Sequence, residues 1–453
     1  MIKNDTIVAI STPNGLGAVG IVRLSGDNSA TIAEKLFSSF SKKSVKDFEP
    51  QKMYLGTLLA DGISDKCLVV FFKSPHSFTG EDVVEFQCHG GQIILQAIVK
   101  SAIKLGARLA LNGEFSRRAY LNGKMDLSNV EGMADLINAE SEASSKLAFS
   151  LFSGGITEKI TKLQTELEEA IAYVEAAFDY PEEDVPPMDV PEVRDVLNNQ
   201  IQELDKLLST YQTGKSVKEG ITVAILGKPN VGKSSLLNAI LGLERAIVTD
   251  IPGTTRDALS CRYNYKGVNF ELFDTAGIRE SSDVIEMMGV ERARRIFETA
   301  DICIATFDAS KQLDSEDNEI IEKLKGKNSI IVINKTDLAD VISDKFPSDL
   351  PTLPISAKSN VGIEKLKDKL FEMSNVSKLV SSESVVLTNE RHAQALSDAR
   401  VRLSTALSIL PTMPPDCIII DIRAAWEKYG ELTGTTASEH IVDTIFMKLC
   451  LGK

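Results

Sequence analysis

Apolar positions recur along this chain with two different periods, and the switches between them divide it. Short β-branched runs dominate residues 1–118. Thr6-Ile7-Val8-Ala9-Ile10-Ser11 predicts a strand ended by Pro13-Asn14-Gly15, and Ala18 to Leu24 predicts another. Lys66 to Phe72 and Asp82 to Cys88 are runs of the same kind, whereas Ile94, Leu95, Ile98 and Ala102 fall on one face of a helix over Gln92 to Leu105. A small α+β domain is expected. Across residues 119–215 helical spacing takes over: Leu163, Leu167, Ile171 and Val174 line one face, and Leu197, Ile201, Leu204 and Leu208 resume it. Between them the acidic, proline-rich stretch Tyr180 to Pro187 predicts a loop. Residues 216–374 alternate strands, at Thr222 to Leu226, Phe270 to Phe273, Ile302 to Phe307 and Ile330 to Ile333, with helical segments. That alternation predicts a mainly parallel, doubly wound sheet. Residues 375–453 are helical again. The pattern predicts a multidomain α/β protein: an N-terminal α+β domain, an all-α domain split in two, and an α/β domain inserted into it. Such insertion is tolerated where chain ends lie close together.

Composition narrows the class. A chain of 453 residues, 43% hydrophobic and 25% charged, is ordinary for a soluble globular protein of several domains. A net charge of -14 argues against a wholly basic nucleic-acid wrapper and leaves room for a local basic patch. Cys67, Cys88, Cys261, Cys303, Cys417 and Cys450 form no Cys-x-x-Cys pair, so no zinc site is expected, and their scatter suits a reducing cytosol. The N-terminus has no basic start followed by an apolar core, and no apolar run approaches the ~20 residues that span a bilayer. A cytoplasmic protein without a membrane segment is expected.

The α/β segment carries the candidate chemistry. Gly227-Lys228-Pro229-Asn230-Val231-Gly232-Lys233-Ser234 fits the P-loop pattern of a glycine-rich turn ending in Gly-Lys-Ser. Asp274-Thr275-Ala276-Gly277, Asn334-Lys335-Thr336-Asp337 and Ser356-Ala357-Lys358 follow in the order of a guanine-nucleotide motif set. One such motif arises by chance; the ordered set predicts binding and hydrolysis of GTP. Loop amides and a helix start near Lys233 would surround the β-phosphate. Lys233 would place a point charge on the β/γ oxygens, and Ser234 would offer Mg²⁺ a hydroxyl. Asp274 ends an apolar strand and can hold Mg²⁺ through water, while the Gly277 amide can reach the γ-phosphate. Asp337 offers two acceptor oxygens to the N–H donors of guanine, which adenine lacks. Ser356, Ala357 and Lys358 would close over the base.

One part is missing. Ile278 follows Gly277, where Ras-like switches carry the glutamine that orients the attacking water. Either hydrolysis is very slow or the orienting group and a compensating positive charge come from elsewhere. The amide oxygen of Asn230 can coordinate a monovalent cation near the phosphates, and the turn-rich loop Thr249 to Asp257 offers carbonyls for the same ion. A bound K⁺ there would act as an arginine finger acts elsewhere. Asn230 also fits a purely loop-stabilising role.

The segments GKPNVGKSSLL (Gly227 to Leu237, including Ser235), DIPGTTRD (Asp250 to Asp257) and DTAGIR (Asp274 to Arg279) resemble the Era/MnmE class of GTPases. Phe78-Thr79-Gly80-Glu81-Asp82, the stretches Gly113 to Ser116 and Leu121 to Leu127, and the terminal Cys450-Leu451-Gly452-Lys453 narrow the resemblance to the tRNA-modification GTPases MnmE, also called TrmE. Asn112, where that family usually has proline, and Leu451, in place of isoleucine, depart from its pattern without touching a candidate ligand.

The resemblance implies Asn230, Thr249, Ile251 and Thr254 as K⁺ ligands and Ser234 and Thr255 as Mg²⁺ ligands. Asp250, Pro252 and Gly253 would complete the loop at GTP, and Glu286 would orient the water. It implies a 5-formyl-tetrahydrofolate or related one-carbon folate site at Arg23, Glu81, Lys124 and Lys453. It makes Cys450 a functional residue, although a cysteine after Ile445, Phe446 and Leu449 also reads as an apolar filler. The family acts on tRNA as a homodimer, forming a heterotetramer with the FAD-dependent MnmG (GidA), and installs an aminomethyl or carboxymethylaminomethyl type group at C5 of the wobble uridine. Arg117, Arg118 and Lys124 could touch tRNA phosphates or be solvated surface. A ribosome-assembly GTPase without covalent chemistry would explain the nucleotide motifs equally well, but not the terminal Cys-Leu-Gly-Lys.

Overall fold

The computed structural model describes residues 5–13, 15–179, 190–242, 260–274, 294–339, 346–377, 385–410, 415–449 and 452. Its contacts group the chain into two compact units: residues 1–134, 151–164 and 426–453 in the first, and 135–150 with 165–425 in the second. Both halves of the helical sequence therefore contribute to each unit.

The first unit is built on a seven-stranded sheet of order β3-β4-β5-β6-β2-β1-β7. Its strands are β1 (Ile7–Ile10), β2 (Gly17–Ser25), β3 (Phe37–Ser39), β4 (Met53–Ala60), β5 (Ile63–Phe72), β6 (Val83–Gly90) and β7 (Arg108–Leu109). All neighbours are antiparallel except β1 and β7. Strand alternation sends Val8, Val22, Leu58, Val69 and Phe86 to one face, where they pack with Leu95, Ile98 and Ala102 of α2 (Gln92–Lys104) and with α1 (Ser29–Leu36). On the opposite face of β4, Met53, Leu55 and Leu59 are 56%, 50% and 59% exposed. Behind the sheet, α3 (Glu114–Leu121) and α4 (Leu127–Asn138) meet the terminal helix Glu439–Met447, whose Val442 and Phe446 pack with Leu127, Val130 and Leu449. Gly113 caps α3 in the left-handed region (φ +65°), and a Cβ there would collide with the Phe446 carbonyl.

The second unit takes residues 142–150 of α5 (Glu142–Phe152) and residues 165–179 of α6 (Gly155–Asp179), followed by α7 (Val190–Ser209) and α8 (Tyr211–Glu219). A six-stranded sheet follows, of order β13-β12-β11-β8-β10-β9. Its strands are β8 (Ile221–Leu226), β9 (Ser260–Tyr265), β10 (Val268–Asp274), β11 (Ile302–Asp308), β12 (Ser329–Asn334) and β13 (Thr352–Pro354). Every pairing is parallel except that of β9 with β10. Helices α9 (Lys233–Leu241), α10 (Ser315–Lys323) and α11 (Ile363–Met373) accompany the sheet, and α12 (Glu390–Ile409) follows. One sheet face packs Val223, Ile225, Phe270 and Ile304 against Leu236, Leu366 and Leu370. The other packs Ala224, Cys303 and Ile331 against Ile321 and Leu324. α7 packs on α12 with Leu197, Leu204, Leu396 and Leu403 fully buried, so helices on either side of the inserted segment rejoin.

Candidate functional site

Four loops at the ends of the parallel strands converge beyond their carboxyl termini, where ligands bind in open α/β sheets. β8 delivers Gly227, whose positive φ and close approach to the Thr306 carbonyl leave no room for a side chain. Gly232 (φ +97°) caps α9, and a Cβ there would strike Asn334 Nδ2. Lys233 is 4% exposed, and its Nζ donates to the carbonyls of Gly227 (2.5 Å) and Lys228 (2.6 Å). Burial pushes its ammonium below the usual lysine range, with the Asp274 carboxylate opposing. Ser234 Oγ donates to Asp274 Oδ2 at 3.0 Å, bringing together the hydroxyl and carboxylate expected to flank Mg²⁺.

The loops that carry the Asn-Lys-Thr-Asp and Ser-Ala-Lys motifs are tied to the P-loop. Asn334 is 2% exposed; its Nδ2 donates to the Val231 carbonyl (3.0 Å) and its Oδ1 accepts from the Ala357 amide (3.0 Å). Lys335 Nζ donates to the Asn230 carbonyl (2.7 Å) and to Asp308 Oδ2 (2.6 Å). Ser356 Oγ donates to Asp337 Oδ1 at 2.6 Å, which holds that exposed carboxyl below its usual range. Ser356 is itself fixed by paired backbone bonds with Val361, and Lys358 is exposed. Lys228 Nζ, from the P-loop itself, pairs with Asp317 (2.9 Å) and Asp314, which together cap α10. Asp308 is a residue that the motifs did not mark. Burial opposes its ionisation, but the hydrogen bonds from Lys335 and Ser310 outweigh it and keep the carboxyl below the usual range. The signal was present: an acid closing the apolar strand Ile302 to Phe307, as Asp274 closes its own strand.

The first unit holds a second cluster. Arg23 Nε donates to Glu85 Oε1 (2.8 Å), and its guanidinium lies 5.4 Å and 5.6 Å from the ring centroids of Phe78 and Phe115. Its Nη1 stands 3.5 Å from the carbonyl of Gly452, which also accepts from Ser11 Oγ at 3.1 Å. Gly452 has a φ of +91°, and a Cβ would collide with the Ile10 carbonyl, so this position of the terminal motif is sterically a glycine. Glu81 accepts from Ser25 Oγ (2.7 Å) and from Arg118 Nη1 (3.1 Å to each oxygen). Arg118 is 2% exposed and also grips Asp5 and Glu114. It is neither a phosphate contact nor solvated surface, because it is buried and three carboxylates engage its Nη1 and Nη2. Arg117 pairs with Asp443 of the terminal helix (2.8 Å). Lys124 is exposed beside the Glu81 loop: a Cβ on Gly80 would lie 3.4 Å from its Cε. It borders a groove of about 610 Å³ lined also by Tyr120, Asp126, Thr433 and Gly434.

Comparison with known proteins decides the family. A model described as "GTP-binding protein TrmE N-terminus" matches residues 6–124, and one described as "MnmE helical domain" matches residues 127–450. The tRNA modification GTPase MnmE of Clostridioides difficile (strain 630) is 40% identical over 100% of both chains. That of Natranaerobius thermophilus is 40% identical over 99% of both. This chain belongs to the MnmE family of tRNA modification GTPases. Among solved structures it is also similar to Era in complex with MgGDPNP and a segment of 16S ribosomal RNA (30% identity over 40% of this chain and 66% of that one, TM-score 0.29).

Of the residues that resemblance to the MnmE family implies, Asn230 to Ser235, Asp274, Asn334, Lys335, Asp337 and Ser356 to Lys358 gather around the phosphate and base loops, and Arg23, Glu81 and Lys124 belong to the first unit. Thr249 to Thr255, Thr275 to Gly277, Glu286, Cys450 and Lys453 lie outside the described residues.

Proposed function

We propose that this chain is a K⁺-stimulated GTPase that, with an FAD-dependent partner, modifies C5 of the wobble uridine of certain tRNAs using a folate one-carbon unit. The observation that carries the reading is the end-to-end match to the MnmE family, which spans the N-terminal and helical regions as well as the nucleotide motifs. Residues 1–118 would serve folate binding and dimerisation, residues 119–215 and 375–453 the helical frame, and residues 216–374 GTP hydrolysis. The apolar outer face of β4 suits a self-association surface, since Met53, Leu55 and Leu59 form an exposed row on one strand.

The residues fit the chemistry. Lys233 sits under the phosphate loop with its ammonium already directed to loop carbonyls. Ser234 and Asp274 form a hard-oxygen pair suited to Mg²⁺. The side chain of Asn230 is exposed and makes no hydrogen bond among the described residues, while the chain there adopts a φ of +65°. A loop-stabilising asparagine would spend its amide on the loop, so this geometry favours the ligand role. Mg²⁺ and K⁺, when bound, would supply positive charge where it develops on the transferring phosphoryl oxygens. Asp337, fixed by Ser356, would read the guanine donors. Gly452 supports a link between the terminal motif and the folate residues, because it seats beside Arg23.

The test is steady-state GTP hydrolysis in K⁺ and in Na⁺. The natural protein is expected to be faster in K⁺, and Asn230→Ala to lose that difference while still binding GTP. Equal rates in both salts for the natural protein would refute the cation argument.

A further inference from the structure

Glu81 is one corner of a closed hydrogen-bond ring whose direction can be worked out. Ser25 Oγ lies 2.7 Å from Glu81 Oε2 and 2.7 Å from Thr79 Oγ1, and the Glu81 amide donates to Thr79 Oγ1 at 3.2 Å. A hydroxyl has one proton to give. With Glu81 ionised, Ser25 must donate to the carboxylate. Thr79 must then donate to Ser25, and it accepts from the Glu81 N–H. Every proton in the ring points one way, toward the carboxylate oxygen. Ser25 and Thr79 are both fully buried (0% exposed), so no water competes for these positions. Arg118 closes the carboxylate from behind and is anchored by Asp5 Oδ1 (2.7 Å) and the Asp5 carbonyl (2.8 Å). Asn122 Nδ2 donates to the Thr79 carbonyl (2.7 Å) and so fixes the loop to the residues just before Lys124.

The nucleotide site of the same chain uses a like device. There a 1% exposed serine, Ser356, donates at 2.6 Å to one oxygen of the exposed Asp337 carboxylate. Guanine and the pteridine of a folate carry the same donor pair, an exocyclic amino group beside a ring N–H. A carboxylate that reads such a pair must be ionised and must not swing, because each lost alignment weakens a charge-assisted hydrogen bond.

We propose that Ser25, Thr79 and Arg118 are positioning residues that lock Glu81 as an acceptor for the amino and ring N–H donors of the folate pteridine. The proposal rests on the folate reading of this site.

Calorimetric titration of the full chain with 5-formyl-tetrahydrofolate, and with its 2-desamino-2-methyl analogue, tests it in the natural protein, Glu81→Gln, Ser25→Ala and Arg118→Lys. The natural protein is expected to prefer the 2-amino ligand. Ser25→Ala should bind that ligand about tenfold more weakly, the worth of one hydrogen bond to a charged group, and the analogue, which keeps only the ring N–H donor, should lose less. Arg118→Lys should shift selectivity in the same direction. If Ser25→Ala and Arg118→Lys match the natural protein while Glu81→Gln weakens binding, the positioning role is wrong and the folate reading stands. If Ser25→Ala weakens both ligands equally, its role is only structural and the proposal falls. If the natural protein binds neither ligand, the folate reading fails and takes the proposal with it.

Discussion

Lys335 is held from two sides, by the Asn230 carbonyl and by the Asp308 carboxylate, so one ammonium joins the P-loop to the loop of the Asn-Lys-Thr-Asp motif. Both Asn230 and Lys335 adopt positive φ (+65° and +68°), a conformation that side-chain-bearing residues keep only where neighbours hold them. Asp308→Asn removes the charge that neutralises Lys335 in a half-buried position. Guanine-nucleotide affinity should fall by about tenfold, the order expected for losing a charge-assisted bond. A fluorescent GDP titration reads this directly, and an unchanged Kd would mean that the loops are placed without Asp308. The motif residues at this site were legible in the sequence because phosphate and guanine chemistry fixes their types and spacing. No motif marks Asp308 or Arg118, since they touch other side chains rather than a ligand; Asp308 has only its place at the end of an apolar strand to point to it. By residue type alone Arg118 reads as a surface cation, and only the fold brings its three acidic partners together.

At the scale of elements, long apolar runs announced themselves and short or two-sided ones did not. β1, β2, β5 and β6 and the strands β8, β10, β11 and β12 all fall where β-branched runs predict them. β4 escaped prediction because its exposed face is as apolar as its buried one, which hides the alternation. β9 escaped because Ser260 to Tyr265 alternates around polar residues at the sheet edge. The β9–β10 hairpin is nevertheless well anchored: its turn residue Gly267 accepts from the Ala143 amide at the start of α5 (2.9 Å), and Arg262 pairs with Glu140 (2.8 Å). The terminal helix shows how a short element is kept in place. Ser438 caps it by accepting from the Ile441 amide, and Phe446, 3% exposed, fills the space between Leu127, Val130 and Tyr120. Phe446→Ala should cost about 3–5 kcal/mol, as large aromatic truncations in cores do. Urea unfolding would show a midpoint shift confined to the transition that reports the first unit. A shift below 1 kcal/mol, on the order of a surface substitution, would mean that the helix is not packed as described.

For the whole molecule, the nucleotide motifs alone leave a ribosome-assembly GTPase and a tRNA-modifying one equally supported. Membership of the MnmE family and the seating of Gly452 beside Arg23 favour the second. Among the described residues no helix is long and apolar enough to cross a membrane. The most direct measurement is mass spectrometry of tRNA nucleosides from cells lacking this protein, rescued with the natural sequence or with Cys450→Ser. The modified wobble uridine should vanish on deletion, return with the natural sequence and stay absent with Cys450→Ser. Nucleosides unchanged by deletion, in cells with no second copy of the protein, would contradict the account and return the chain to ribosome assembly.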